Sequence, residues 1–320
     1  MSRPVAEALP PLTVVPRLRL LLSVNLRQNW RRLADAISQS RLHASLMGLF
    51  VASYAWLAFV LFRKSLDFVS SFPGLGPVLI ERMMFLLFAF LYILLLLSNI
   101  IISYTNLFKN RETNFLLTLP IPASTVFRWK MFESALLASW AFLFLVAPLL
   151  VAYGMTFEAS WHFYFVTPAM VALFIVLPAV LGSWAAIVLA RWLDRRAFQV
   201  AAVAFMLVAV VAMSAWLQPE TVTDEMLETR VLAVVDRLLA RTDFSLFPFL
   251  PSYWVSSGVT RWVEGAVTAT AFFGLVLVSH TLFFGYLAST RSGPWFYDAL
   301  TLVNSRGGIR EKWNWSNHSV

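Results

Sequence analysis

The side chains with binding or reactive potential are concentrated between Tyr104 and Lys130, in the stretch YTNLFKNRETNFLLTLPIPASTVFRWK. Lys109, Arg111, Arg128 and Lys130 stand there against a single acid, Glu112. Basic charge around a few apolar residues, Phe115, Leu116, Leu117 and Leu119, suits the docking of a soluble partner. It equally suits an ordinary basic loop beside a membrane. Leu119-Pro120-Ile121-Pro122 must interrupt any helix, because proline lacks the N–H of the helical ladder and pushes the residue before it out of the α region. The expected order is a helix ending inside the stretch, a short apolar piece, and a new helix from near Ser124.

Little else in the chain points to catalysis. No stretch fits G-x-x-x-x-G-K-[ST], so a P-loop is absent from this sequence. Gly74-Leu75-Gly76 and Gly307-Gly308 lack both the lysine and the strand-to-helix context. His43, His162, His280 and His318 are scattered, and no H-E-x-x-H occurs. Asp67, Glu81, Glu112, Glu133, Glu158 and Asp194 are expected in loops or at helix ends, unpaired within a span. Membrane enzymes usually place charged or metal-binding groups toward a cavity, so this pattern disfavours an enzyme. With no cysteine, disulfides and thiolate chemistry are excluded.

The elements that position these residues follow from composition. Of 320 residues, 59% are hydrophobic and 13% charged, and the mean hydropathy is +0.72. Soluble domains carry about 25% charged residues. The bilayer must therefore be the solvent for most of this chain. A net charge of +8 would suggest nucleic acid if the basic residues were not gathered beside apolar runs, where topology and anionic lipid account for them. We expect no nucleic-acid partner.

Six runs reach the roughly 20 residues needed to cross a bilayer: Ala44–Phe62, Met83–Phe108, Met131–Tyr153, Tyr164–Ala190, Ala197–Leu217 and Gly265–Tyr286. The fourth contains Pro168, Pro178 and Gly182, which predict a kink or local unwinding. His280, in the sixth, fits a hydrogen-bonding residue between helices better than a ligand or proton carrier. Ahead of the first run, Val14 to Ile37 has Leu22, Leu26, Trp30, Leu33 and Ile37 at helical spacing among arginines. This predicts a basic amphipathic helix lying in the membrane interface or packed on the protein. It lacks the clean apolar core and cleavage site of a secretory signal.

With the N-terminus in the cytoplasm, eighteen lysines and arginines fall on the cytoplasmic side and seven outside, which favours both termini inside. The outer connection, 218–263, then holds an amphipathic helix over 223–241. The proline-broken aromatic run FSLFPFLPSYW follows, suited to the headgroup region or a re-entrant turn. The expected organisation is all-α: an N-terminal cytoplasmic region (1–43), a six-helix transmembrane domain (44–290) with a cytoplasmic loop at 109–130, and a polar, short, mobile tail (291–320).

Taken together, these features resemble the membrane subunits of ATP-binding-cassette exporters of the type-2 class. Those subunits have an N-terminal interfacial helix and six spans, with a short coupling helix between the second and third and an extended outer connection between the fifth and sixth. The sharpest local likeness is Arg111-Glu112, Phe115-Leu116-Leu117, Leu119-Pro120-Ile121-Pro122, then Arg128 and Lys130. The resemblance implies a permease of the bacterial inner membrane that works as a dimer, or as one half of a longer permease. Its partner would be a separate P-loop ATPase carrying the ATP and magnesium, with no cofactor in this chain. Arg111, Glu112, Phe115, Leu117, Pro120, Pro122 and Lys130 would form the ATPase-coupling loop. The alternatives are a secondary transporter or half-transporter, for which only Pro178, Gly182 and His280 offer hints, a lipid-modifying enzyme, and a non-transporting scaffold.

Overall fold

The computed structural model describes residues 41–192, 196–217 and 242–316, with isolated positions 23, 27, 31 and 240. The expected interfacial helix, with Leu22, Leu26, Trp30 and Leu33, and the amphipathic helix expected over 223–241 fall outside the described residues apart from those isolated positions. Among the described residues every regular element is helical and no strand occurs. In order these are α1 (Arg41–Ser70), α2 (Gly76–Tyr104), a π turn (Thr105–Lys109), α3 (Arg111–Thr118), α4 (Ala123–Thr156), α5 (Phe163–Trp192) and α6 (Arg196–Leu217). A 3-10 turn (Asp243–Leu246), α7 (Pro251–Val263) and α8 (Val267–Ser316) complete the order. Apolar runs of this length become helices because a segment in lipid must satisfy its backbone hydrogen bonds internally.

Among the described residues five stretches are long and apolar enough to cross a membrane: Leu42–Ser70, Gly76–Lys109, Ala123–Thr156, Phe163–Trp192 and Val267–Val303. They contain four of the six expected runs and, but for Gly265 and Ala266, the last one, and the fifth run is the 22-residue helix α6. Much apolar surface faces outward, including Leu46, Phe50, Trp56 and Leu57 on α1 and Val200, Val203 and Met206 on α6. In water such faces would demand cover. Against lipid tails they do not.

Two differences from the sequence expectations concern prolines and length. Of the kink or local unwinding predicted near Pro168 and Pro178, the unwinding is absent, since α5 is one helix through both. Its inner face, with Phe174, Leu177 and Val180, is buried, and that packing holds the helix through the missing backbone bonds. The stretch after Thr290, expected as a polar tail, continues α8 to Ser316, so the boundary drawn at 290 falls inside a helix. Phe296, Ala299 and Leu300 are buried there, which explains why the helix persists past the apolar run.

The interior is divided into two apolar clusters. The larger joins α1, α2, α4, α5, α7 and α8 around Phe88, Tyr92, Phe142 and Phe174, whose rings meet edge-on or tilted with centroids 5.8–6.3 Å apart. The smaller lies at the end that carries α3 and is built from Leu107, Leu116, Val126, Phe127, Phe296 and their neighbours. Between them the helices meet through small and polar residues. Ser103 and Ser183 oxygens are 3.1 Å apart across α2 and α5. A Cβ on Gly182 would lie 2.6 Å from the Asn99 Cβ, so only glycine admits this approach. Close contact through small residues, with hydroxyl bridges, is how helices associate in lipid.

The proline-broken aromatic run leads into α7, which folds back along α8 as an antiparallel hairpin. Gly265, at φ +77°, makes the turn. Trp254 donates to the Pro248 carbonyl at 2.7 Å and its ring sits 4.4 Å from that of His280. Trp254 at the end of the run is buried, as are Val255 and Val259 beyond it in α7, whereas Phe244, Phe247 and Phe249 are exposed. His280 does not bridge helices by hydrogen bonding as expected: its Nδ1 lies 2.8 Å from the Val276 carbonyl of its own helix.

Candidate functional site

The polar stretch singled out from the sequence becomes α3 and its two joints. At the first joint, Asn110 is extended (φ −81°, ψ 125°), and its side chain accepts the Glu112 backbone N–H at 3.0 Å. This N-cap satisfies one of the donors that a helix start leaves open. Glu112 in the first turn also favours the positive end of the helix dipole. At the second joint, Leu119 is extended (ψ 156°), as the following proline requires. The Ile121 N–H donates to the Leu119 carbonyl at 2.7 Å, a three-residue turn around Pro120. Pro122 then opens α4, accepting from the Thr125 N–H at 2.9 Å.

Eight residues give α3 two distinct faces. Thr113 and Leu116 are buried, with Leu116 in the smaller apolar cluster and Leu117 packed against it. Phe115, beside buried Leu116 in sequence, falls on the outer face. Phe115 is 61% exposed, an aromatic ring presented rather than stored. Lys109 and Arg111 are exposed beside it, and the Lys109 ammonium stands 5.5 Å over the Tyr104 ring.

The inner side of α3 is held by a polar cluster. Lys130 is fully buried, with its ammonium 2.7 Å from Glu112 Oε2 and 2.8 Å from Glu133 Oε2. Asn106 Nδ2 donates to Ser134 Oγ at 3.1 Å and to the Lys130 carbonyl at 3.4 Å. Asn110 Nδ2 donates to Asn106 Oδ1 at 2.8 Å, and Thr113 Oγ1 donates to the Asn106 carbonyl at 2.7 Å. A buried lysine is tolerated only when its charge is paired and its donors are used. Here the end of α2, the π turn, α3 and α4 are tied through it.

A second brace comes from α8. Arg128 donates through Nε (3.0 Å) and Nη2 (2.5 Å) to the Ser289 carbonyl. Trp184 Nε1 donates to Ser292 Oγ at 2.7 Å. Gly293 sits so close to α4 that a Cβ there would lie 2.7 Å from that of Ser124.

Of the seven residues assigned to the loop from sequence, the fold joins Glu112 directly to Lys130. Leu117 is half-buried, while Arg111, Phe115, Pro120 and Pro122 are exposed. Arg128 and Lys130 are not loop residues, because α4 has already begun at Ala123. Glu133 is likewise inside α4 and paired with Lys130, not unpaired at a helix end. Asn106, Asn110, Thr113 and Ser134 were not singled out from sequence. The signal was present: Asn99, Ser103, Asn106 and Asn110 recur at intervals of four, three and four along and just beyond an apolar run. Among the described residues no group of three or more His, Asp or Glu side chains could hold a metal ion.

Fold and site together define a helical protein with several segments able to span a membrane and a short braced helix at one end of its bundle. The chain belongs to the family described as "Putative ATP-binding cassette", which it matches over residues 35–319. No curated protein matches it, and no solved structure does. The family description speaks of ATP binding, yet this sequence contains no P-loop.

Proposed function

We propose that the chain is the permease subunit of an ATP-driven exporter. In this reading six spans cross the bacterial inner membrane with both termini in the cytoplasm, and two such subunits, or two halves, line the path. ATP and magnesium bind a separate P-loop ATPase, which docks on α3. Membership of an ATP-binding-cassette family supports a link to ATP, and the missing P-loop supports a second chain as its site. The observation that carries the proposal is α3 itself: a short helix with an exposed phenylalanine outside and a fully buried lysine anchoring it from within. A helix seated in this way between α2 and α4 suits the transfer of movement from a soluble partner into both. The apolar spans suit a hydrophobic or amphipathic cargo.

The test is purification of the tagged chain from its native membrane in mild detergent, with co-purifying proteins identified by mass. A stoichiometric P-loop protein is the expected result. Phe115→Ser, which leaves the buried face of α3 untouched, is expected to weaken its capture at least about tenfold, since central aromatic anchors are worth about 2 kcal/mol. Glu112→Ala and Pro120→Ala should abolish transport-stimulated ATP hydrolysis with expression intact. Absence of any ATPase, where other ATPase–permease pairs survive extraction, would sink the proposal. Full stimulation in all three variants would remove α3 from the mechanism.

A further inference from the structure

Lys130 has one more carboxylate than its charge requires. Glu112 comes from α3, whereas Glu133 comes from α4 itself, one turn beyond the lysine. A bolt meant only to fix α3 would need Glu112 alone, and the second carboxylate sets two like charges around one ammonium. The arrangement makes sense if α3 leaves its seat. With Glu112 withdrawn, Lys130 keeps Glu133, and no unpaired charge remains inside the protein, which is the state most strongly penalised.

Other features fit a helix able to move as a unit. Both ends of α3 are non-helical joints, extended at Asn110 and at Leu119. Its remaining attachments to the rest of the chain are few: the Thr113 hydroxyl on the Asn106 carbonyl, the Asn110 amide on the Asn106 side chain at the first joint, and Leu116 with half-buried Leu117 in the smaller cluster. Glu112 is also the more exposed of the two carboxylates, at 45% against 29%. Water can therefore take it over when it departs.

We propose that α3 is a releasable latch and that Glu133 is the positioning residue which holds Lys130 when α3 lifts. Glu133 thereby sets the balance between the seated and released states. Its removal tightens the latch: Lys130 then depends on Glu112 alone, and the repulsion between the two carboxylates is gone. Removal of Glu112 loosens it. The two substitutions act in opposite directions, which a purely structural role for the cluster does not allow, because loss of either carboxylate would then destabilise the same packing. The latch is a property of this chain alone, so it stands or falls separately from the identity of the docking partner.

The experiment is hydrogen exchange, followed by mass spectrometry, on the purified full chain in lipid nanodiscs, read at the α3 amides. Each substitution weakens one hydrogen bond to a charged group, so Glu112→Gln should speed α3 exchange about tenfold or more and Glu133→Gln should slow it about tenfold or more. A cysteine at Leu116, in a chain that has none of its own, gives a second readout. Its maleimide labelling should rise and fall with the same two substitutions. If Glu133→Gln does not accumulate, Glu133→Asp, with its shorter reach, should slow exchange by a smaller factor. Exchange that is unchanged or faster in the Glu133 variants overturns the latch. So does failure of both to fold, which would assign Glu133 to stability alone.

Discussion

Gly182→Val should prevent native packing, and Gly182→Ala should lower stability by about 1–3 kcal/mol, the usual range for overfilling a packed core. A Cβ at this position would meet the Asn99 Cβ at 2.6 Å and the backbone of Asn99 and Ile100 at 3.1 Å. Backbone cannot swing aside as the end of a long side chain can, so α2 and α5 must separate. Separation would also break the contact between Ser103 and Ser183, one residue along α5. Gly274 provides the control, because nothing lies within 4 Å of a Cβ placed there. Gly274→Ala should be neutral or stabilising by up to about 1 kcal/mol, as alanine is the better helix former. Thermal unfolding followed by tryptophan fluorescence in detergent measures both. Equal stability of Gly182→Ala and the parent would mean that the two helices do not meet at this point.

Lys130→Ala should be the most damaging single change at the α3 end. Removing one partner of a fully buried pair costs about 3–5 kcal/mol. The two carboxylates here are partly exposed and can hydrate once released, which reduces that loss. The vacated space left by the buried lysine stem adds to it. Together these suggest a loss of about 2–4 kcal/mol. Lys130→Met keeps the stem without the charge and should cost less, since a well-packed apolar replacement for a buried ion is often tolerated. Denaturant unfolding of the two variants separates packing from charge. If Lys130→Ala and Lys130→Met were equally mild, the ion pairs would contribute nothing to holding α3.

Much of the architecture could be read from the amino acids because lipid leaves the chain few options. An uncharged run of twenty residues has to be a helix, and four of the expected runs lie inside helices able to span, with a fifth there but for its first two residues. The second joint of α3 was readable too, since Pro120 and Pro122 act through local geometry that tertiary packing cannot override. The burial of Lys130 was not. It depends on Glu112, eighteen residues earlier and on another element, arriving at its ammonium. In a list of basic residues Lys130 looks no different from Lys109, which is exposed. The length of α8 was missed for another reason. Beyond Thr290 the mean polarity rises, but Ser292, Phe296, Ala299 and Leu300 still recur at helical spacing. Those four positions are buried, so periodicity was the better guide there than average hydropathy.

At 50 residues, α8 is about 75 Å long, more than twice the roughly 30 Å of a bilayer's hydrocarbon layer. It touches α7 at one end and the underside of the α3 seat further along, through Phe296 and Leu300. The distance along it from Leu277 to Phe296 is about 28 Å, so a tilt of about 10° pivoting near Leu277 would sweep Phe296 sideways by about 5 Å, close to one helical turn. A rod of that reach converts small angles at one face of the membrane into side-chain-sized displacements at the other.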